Sequence, residues 1–208
     1  MEIKKYDDMN SMQIDAIREI GSIGTGNAVS ALSSIMNTPI KMDVPKIKIE
    51  EFDDAVYAVG SPEDIVMAVL VTMSGDMDGM MMFLVEKQGI NEILGHIINE
   101  NVDDLFQISE MGLSALTEVG NIMISSYVNA ISQMASMNIE LSVPAAAVNM
   151  LGGILTVPMA ELGYETDKLM MIDGSMTIEN KRFNNTILML PRIKSLNVLM
   201  EKLVGLYG

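Results

Sequence analysis

Glu118 and Asn121 stand three residues apart in SALTEVGNIM (114–123), a spacing that on a helix makes them neighbours on one face, where they could act as one unit. Ninety-nine residues earlier, DAIREIGSIG (15–24) opens the same way, with Glu19 at the place of Glu118 and Ser22 at the place of Asn121. An exposed Glu and Asn also fit a solvated helix face. The return of the glutamate at the same place in the second stretch argues for a role, because an arbitrary surface carboxylate has no reason to recur.

Other constellations carry less chemistry. The glycines of GSIGTGNA (21–28) run G-x-x-G-x-G inside a helical pattern with no strand before them, so they do not form a dinucleotide fingerprint. Glycine costs a helix about 1 kcal/mol relative to Ala, so Gly21, Gly24 and Gly26 are expected to allow a close approach of another backbone. His96 is the only histidine and lies in an apolar helical segment, where it cannot build a multi-histidine metal site. The turn GDMDG (75–79) lacks the later ligands of a calcium loop.

Periodicity supplies the elements that must hold these residues. Residues 10–36 place Met12, Ile14, Ile17, Ile20, Ile23, Val29, Leu32 and Ile35 at helical intervals, and a long helix follows. TPIKMDVPKIKIEEF alternates like strands; AVYAVG, DIVMAVLVTMS and GMMMFLVEK read as further strands, the last two joined by a hairpin at SGDMDG. QGINEILGHIINE reads as a shorter helix. The second half runs in the same order: a helix over roughly 104–136, strand-like MNIELSVP, the apolar AAAVNMLGG, strands ILTVPMAEL, KLMMIDGSM and NNTILMLPR, and a last helix IKSLNVLMEKLVGLYG. Sliding the chain by 99 residues without gaps pairs Met12 with Met111, Gly21 with Gly120, Val29 with Val128, Ile40 with Ile139 and Pro45 with Pro144. The expectation is an α+β fold with a pseudo-twofold: one domain over 1–208 made of two αβ repeats, about 10–98 and 109–206. Their long helices would lie on one side of a shared antiparallel sheet.

Composition narrows the function. The 208 residues carry a net charge of −15, which argues against a partner held through a phosphate backbone, so no nucleic-acid role is expected. Cysteine is absent, excluding disulfides, thiol nucleophiles and thiolate metal sites. No apolar run of 18 or more residues occurs and MEIKKYDDMN has no signal-peptide core, so no membrane insertion and a cytoplasmic address are expected. The 22 methionines fall mostly in apolar segments and read as core filler.

These residues resemble a known family. The pattern Asp or Ser, three residues, Glu, two residues, Asn, twenty-two residues, Pro is that of the CheC, CheX and FliY chemotaxis phosphatases. Ser114, Glu118, Asn121 and Pro144 satisfy it in full; in the first copy Asp15, Glu19 and Pro45 fit and Ser22 replaces the Asn. The likeness covers nearly the whole chain, and the length and double layout fit the CheC branch best. The resemblance implies hydrolysis of the aspartyl phosphate on a CheY-type response regulator. The Glu would pair with a lysine at the regulator's active site and the Asn would position the attacking water. No cofactor would be bound by this chain, magnesium being held by the regulator. The Ser22 hydroxyl, on a shorter stem, would not reach the same water, so the first site is read as impaired and the second as the working one. Asn27 does not replace it, lying eight residues and about 12 Å along a helix from Glu19. The chain is expected to be a monomer. The rival reading is a non-catalytic adaptor that holds a chemotaxis partner such as CheD without hydrolysis. Family members bind CheD through a short helix after the second proline; here that segment is AAAVNML, with Asn149 where an Asp is expected, which leaves CheD binding open.

Overall fold

The computed structural model describes residues 2–161 and 168–207. Each half enters through a 3-10 turn, Tyr6–Asp8 in one and Leu105–Gln107 in the other, and continues into a 26-residue helix, α1 (Ser11–Met36) or α4 (Glu110–Ala135). The correspondence at 99 residues therefore begins ahead of residue 10. The caps repeat as well. Asn10 and Gln13 close α1 with a reciprocal pair of bonds at 2.9 and 3.0 Å, while the Ser109 hydroxyl accepts from the Gly112 amide at 2.9 Å at the start of α4. Both helices end on a left-handed residue, Asn37 and Ser136.

Between and after these helices the halves alternate strands with short helices. The first supplies β1 (Ile40–Met42), β2 (Lys46–Glu51), α2 (Phe52–Val59), β3 (Ile65–Gly75), β4 (Gly79–Glu86) and α3 (Lys87–Ile98). The second supplies β5 (Ile139–Leu141), β6 (Ala145–Met150), α5 (Leu151–Glu161), β7 (Lys168–Ile178), β8 (Lys181–Pro191) and α6 (Ile193–Tyr207). All eight strands join one antiparallel sheet whose middle is the β4–β8 pair, with Phe83 opposite Ile187. The halves exchange their edges: β1 and β2 lie end to end along β7, and β5 and β6 lie end to end along β3. Lys46 thus faces Asp173 across halves, and Ala145, 99 residues on, faces Leu70. Neither hairpin is flanked by its own half's edge strands, so burial of the two halves is coupled.

Val69, Phe83, Ile187 and Ile172 meet in register on one face of the sheet, and that face carries the long helices. A Cβ on Gly120 of α4 would stand 2.5 Å from Val69, and one on Gly21 of α1 would meet Pro45 at 3.1 Å and Ile172 at 4.0 Å. The helices also press on each other. At Gly24 a Cβ would lie 2.9 Å from the Tyr127 Cα, and beside it the Thr25 and Tyr127 hydroxyls bond at 2.8 Å in a buried position. Burial raises the Tyr127 phenol above its ordinary value, and the bond from Thr25 opposes that in part. Methionine fills the sheet core, with Met67, Met81, Met82, Met170 and Met171 buried.

Three expected elements differ. Residues 52–59 form helix α2, because Ala55 and Val56 bury and Phe52 and Val59 half-bury at helical spacing while Asp53 and Asp54 sit in the first turn, where the helix dipole favours acid. The segment read as strand ILTVPMAEL is helix α5 as far as Glu161, burying Leu151, Ile154, Leu155, Pro158 and Met159 at three- and four-residue steps; Leu162 lies outside the described residues. Conversely, AAAVNM, where the resemblance implies a short helix, is strand β6, bonded along β3 from Ala145 to Met150. Small and β-branched residues fit both states, and the neighbour decides. Among the described residues no helix is long and apolar enough to cross a membrane.

Candidate active site

On α4 the residues Met111, Ser114, Glu118 and Asn121 follow one another at steps of three, four and three, and form a single stripe facing away from the sheet. Ser114 and Glu118 are exposed and Asn121 is half-buried. The cause of this aim lies between them: Leu116, Val119, Gly120 and Met123 are buried, with Gly120 seated on Val69, so the helix cannot roll without losing that contact. Glu118 and Asn121 are about 4.5 Å apart along the axis. Among the described residues neither side chain has a hydrogen-bond or ion-pair partner, so a carboxylate and a carboxamide stand side by side with their polar atoms uncommitted.

The start of α4 is fixed from outside the helix. The Glu100 carboxylate accepts from the Ser109 amide at 3.0 Å and from its hydroxyl, and these two bonds, the hydroxyl's first, hold the Glu100 carboxyl below its ordinary value. Ser109, thus oriented, caps Gly112 one turn before Ser114. Pro144 is half-buried at the entry to β6, in a loop tied to β3 by Ser142, whose amide donates to the Thr72 carbonyl at 3.0 Å.

The related stripe on α1 is Met12, Asp15, Glu19 and Ser22, and it differs in its bonding. Glu19 is exposed, as Glu118 is. Asp15, however, is ion-paired with Arg18, and the Ser22 hydroxyl donates to the Arg18 carbonyl at 3.1 Å. Arg18 has Thr117 as its counterpart, whose hydroxyl bonds back to the Leu113 carbonyl at 2.7 Å. Pro45 is buried against Gly21, so in this copy the signature proline packs on the helix that bears the stripe. Arg18 escaped the sequence reading; its offset against Thr117 was the available signal.

The remaining candidates lie elsewhere. Asn149 is exposed on β6 with its side-chain oxygen accepting from the Met150 amide at 2.8 Å. His96 meets the Glu92 carbonyl at 2.8 Å on α3. Asp76 of the GDMDG turn caps the Asn138 amide at 2.8 Å, a structural use for one of its two carboxylates. Gly26, expected at a close approach, is exposed with nothing within 4 Å of a Cβ. Met12 and Ile35, read among the apolar helix positions, are exposed at 52% and 51%.

With the geometry in place, comparison with known proteins gives a consistent result. The CheC-like family matches the chain twice, over residues 12–49 and 111–148, and both ends of the match are displaced by the same 99 residues. The chain is 30% identical over 175 residues to the CheY-P phosphatase CheC of Bacillus subtilis, covering 82% of this chain and 83% of that one. It is also 30% identical over 149 residues to the flagellar motor switch phosphatase FliY of the same organism, covering 69% of this chain and 37% of that protein. In fold it is similar to the crystal structure of Thermotoga maritima FliY, with a TM-score of 0.75 at 20% identity over 95% of this chain and 98% of that one.

Proposed function

The chain belongs to the CheC-like family, and from that premise we propose that it hydrolyses the aspartyl phosphate of a CheY-type response regulator in the cytoplasm, chiefly through α4. The observation that carries the reading is the uncommitted Glu118–Asn121 pair on an exposed stripe held rigidly from beneath by Gly120 on Val69. Phosphoryl transfer asks the protein for alignment and charge compensation more than for covalent chemistry. Glu118 pairs with a cationic group beside the phosphorylated aspartate and sets the register. The Asn121 carboxamide accepts from a water and donates to the phosphoryl oxygens, aiming that water in line. The water oxygen bonds to phosphorus, the bond to the aspartyl oxygen breaks, and inorganic phosphate leaves with the carboxylate restored. Neutralisation at phosphorus falls to groups of the regulator, its magnesium ion among them.

The test is phosphate release from a magnesium-loaded CheY-type regulator phosphorylated with acetyl phosphate. Glu118→Ala is expected to cost the equivalent of a lost interfacial ion pair, roughly 2–5 kcal/mol. Asn121→Ala is expected to slow turnover by about 10²-fold. Either variant at near-parental activity, while folded, removes this site from the reaction.

A second reading, an adaptor that holds a partner such as CheD, draws on β6. Its residues Ala145–Met150 carry no charge, and among the described strands only β3 pairs with it, whereas the related β2 presents Lys46, Lys48, Glu50 and Glu51. A retained partner complex in the Asn121→Ala variant would favour it.

A further inference from the structure

The two stripes differ in their approaches as well as in their catalytic positions. Where the second half enters α4, Phe106 is 63% exposed and Met111 67% exposed. Met111 is the first member of the stripe that ends in Glu118 and Asn121, about 10 Å below Glu118 along the axis. In the first half the residue that corresponds to Phe106 is Asp7, at the same place in the 3-10 turn, and it is bound to Lys168 at 2.9 Å. Asp15, at the place of Ser114, is likewise held by Arg18. The first approach thus sets satisfied charges, Asp7 and Asp15, around the exposed Met12, whereas the second presents two large apolar side chains, Phe106 and Met111, to water in a chain whose net charge is −15. Buried neighbours do not require either: Leu105 fills the core position of the turn, as Tyr6 does in the first half. Two exposed apolar side chains, one the first member of a stripe of uncommitted polar groups and the other in the turn that leads into the same helix, match the anatomy of a binding surface in which apolar side chains supply affinity and polar ones register.

We infer that Phe106 and Met111 form the apolar anchor by which the phosphorylated regulator docks on α4, and that Asp7, at the place of Phe106, disfavours docking on α1, where Met12 alone remains of the apolar pair. The inference rests on the reading of Glu118 and Asn121 as the phosphatase pair and adds the surface that selects between the faces. The occupant is the receiver domain itself, presenting an apolar patch beside the cation that meets Glu118. Phe106 and Met111 are positioning residues, since neither reaches the reacting atoms.

The experiment pairs two readouts on Phe106→Asp, which restores the first-half residue, and Met111→Gln. The first is steady-state phosphate release from the CheY-type receiver of the same organism, phosphorylated with acetyl phosphate. The second is equilibrium binding to that receiver activated with beryllium fluoride. The expected result is a KM and a Kd raised about tenfold in each variant, with kcat within twofold of the parent. Circular dichroism should be unchanged, because both side chains are exposed. Unchanged KM and Kd in an active parent overturn the anchor and leave the phosphatase reading standing. A kcat loss at constant KM also overturns it. A parent chain that neither binds nor hydrolyses overturns both. If Phe106→Asp instead converts a dimeric parent to monomers with KM unaltered, the patch belongs to a second copy and the docking inference fails.

Discussion

The Ser22 hydroxyl donates to the Arg18 carbonyl four residues back, at 3.1 Å, while the side chain of Asn121, its counterpart 99 residues on, has no hydrogen-bond partner among the described residues. One polar group is turned into its helix and the other is left outward. Ser22→Asn removes the hydroxyl from that carbonyl and supplies a carboxamide of the right length. In an Asn121→Ala background, where α4 contributes little, the substitution is expected to restore partial activity, because Glu19 is already exposed on the same stripe. Phosphate release decides it. A folded double variant as inactive as Asn121→Ala alone would mean that α1 lacks more than its Asn, the charged approach through Asp7 and Arg18 being the next obstacle.

Gly24 and Gly26 should respond to alanine with opposite signs. At Gly24 the new methyl would collide with Tyr127 backbone at 2.9 Å, which cannot step aside as a side chain could. Gly24→Ala is expected to destabilise by about 1–3 kcal/mol, the usual size of overpacking. Gly26 has open space around it, so Gly26→Ala keeps only the gain in helix propensity, up to about 1 kcal/mol. Chemical denaturation of both variants measures the difference; stabilisation by Gly24→Ala would mean that α1 and α4 do not cross as closely as described.

What the chain disclosed in its sequence follows from which signals are local. The duplication, the two long helices and the Glu118–Asn121 stripe were legible, because a 99-residue register and a helical period are written in the residues themselves. Helices α2 and α5 were not. AVYAVG omits Phe52, and without it the period Phe52, Ala55, Val56, Val59 is invisible; in α5, Pro158 and the β-branched residues argue against a helix that tertiary burial nonetheless favours. The strand identity of Ala145–Met150 depends on β3, a neighbour some eighty residues away. Arg18's double bonding and the exposure of Phe106 are likewise properties of the folded arrangement.

Glu100 links pH to the entry of α4. Its carboxyl is held below the ordinary value of 4.5 by the Ser109 hydroxyl and amide. A lowered folded-state value means that the charged form stabilises the fold: the contribution is complete above 4.5 and disappears as pH falls through the depressed value. Glu100→Gln keeps an acceptor without the charge, so the parent should melt higher than the variant at pH 7, and the gap should close under acid. Thermal scans from pH 7 to 3 test this. A gap that persists unchanged at the acid end would place the variant's effect in packing.

Glu118 and Asn121 should fail in different ways when their shapes are kept. Glu118→Gln removes the charge that meets a partner cation but keeps the length and the oxygen, so its defect should lie in KM, about tenfold or more, with kcat nearly retained. That defect should narrow as salt is raised, since screening weakens the parent's charge contact and the variant has none to lose. Asn121→Asp keeps the outline of the side chain but loses both N–H donors and sets a carboxylate against the phosphoryl oxygens. Its defect should appear in kcat, by about 10²-fold, with KM less affected and without the same salt dependence. Glu118 is exposed and Asn121 half-buried, and neither side chain has a partner among the described residues, so these near-isosteric changes should not shift the melting temperature appreciably. If instead both variants raise KM alone, the stripe holds the regulator without aiming the water, and hydrolysis would have to be credited to the regulator's own groups.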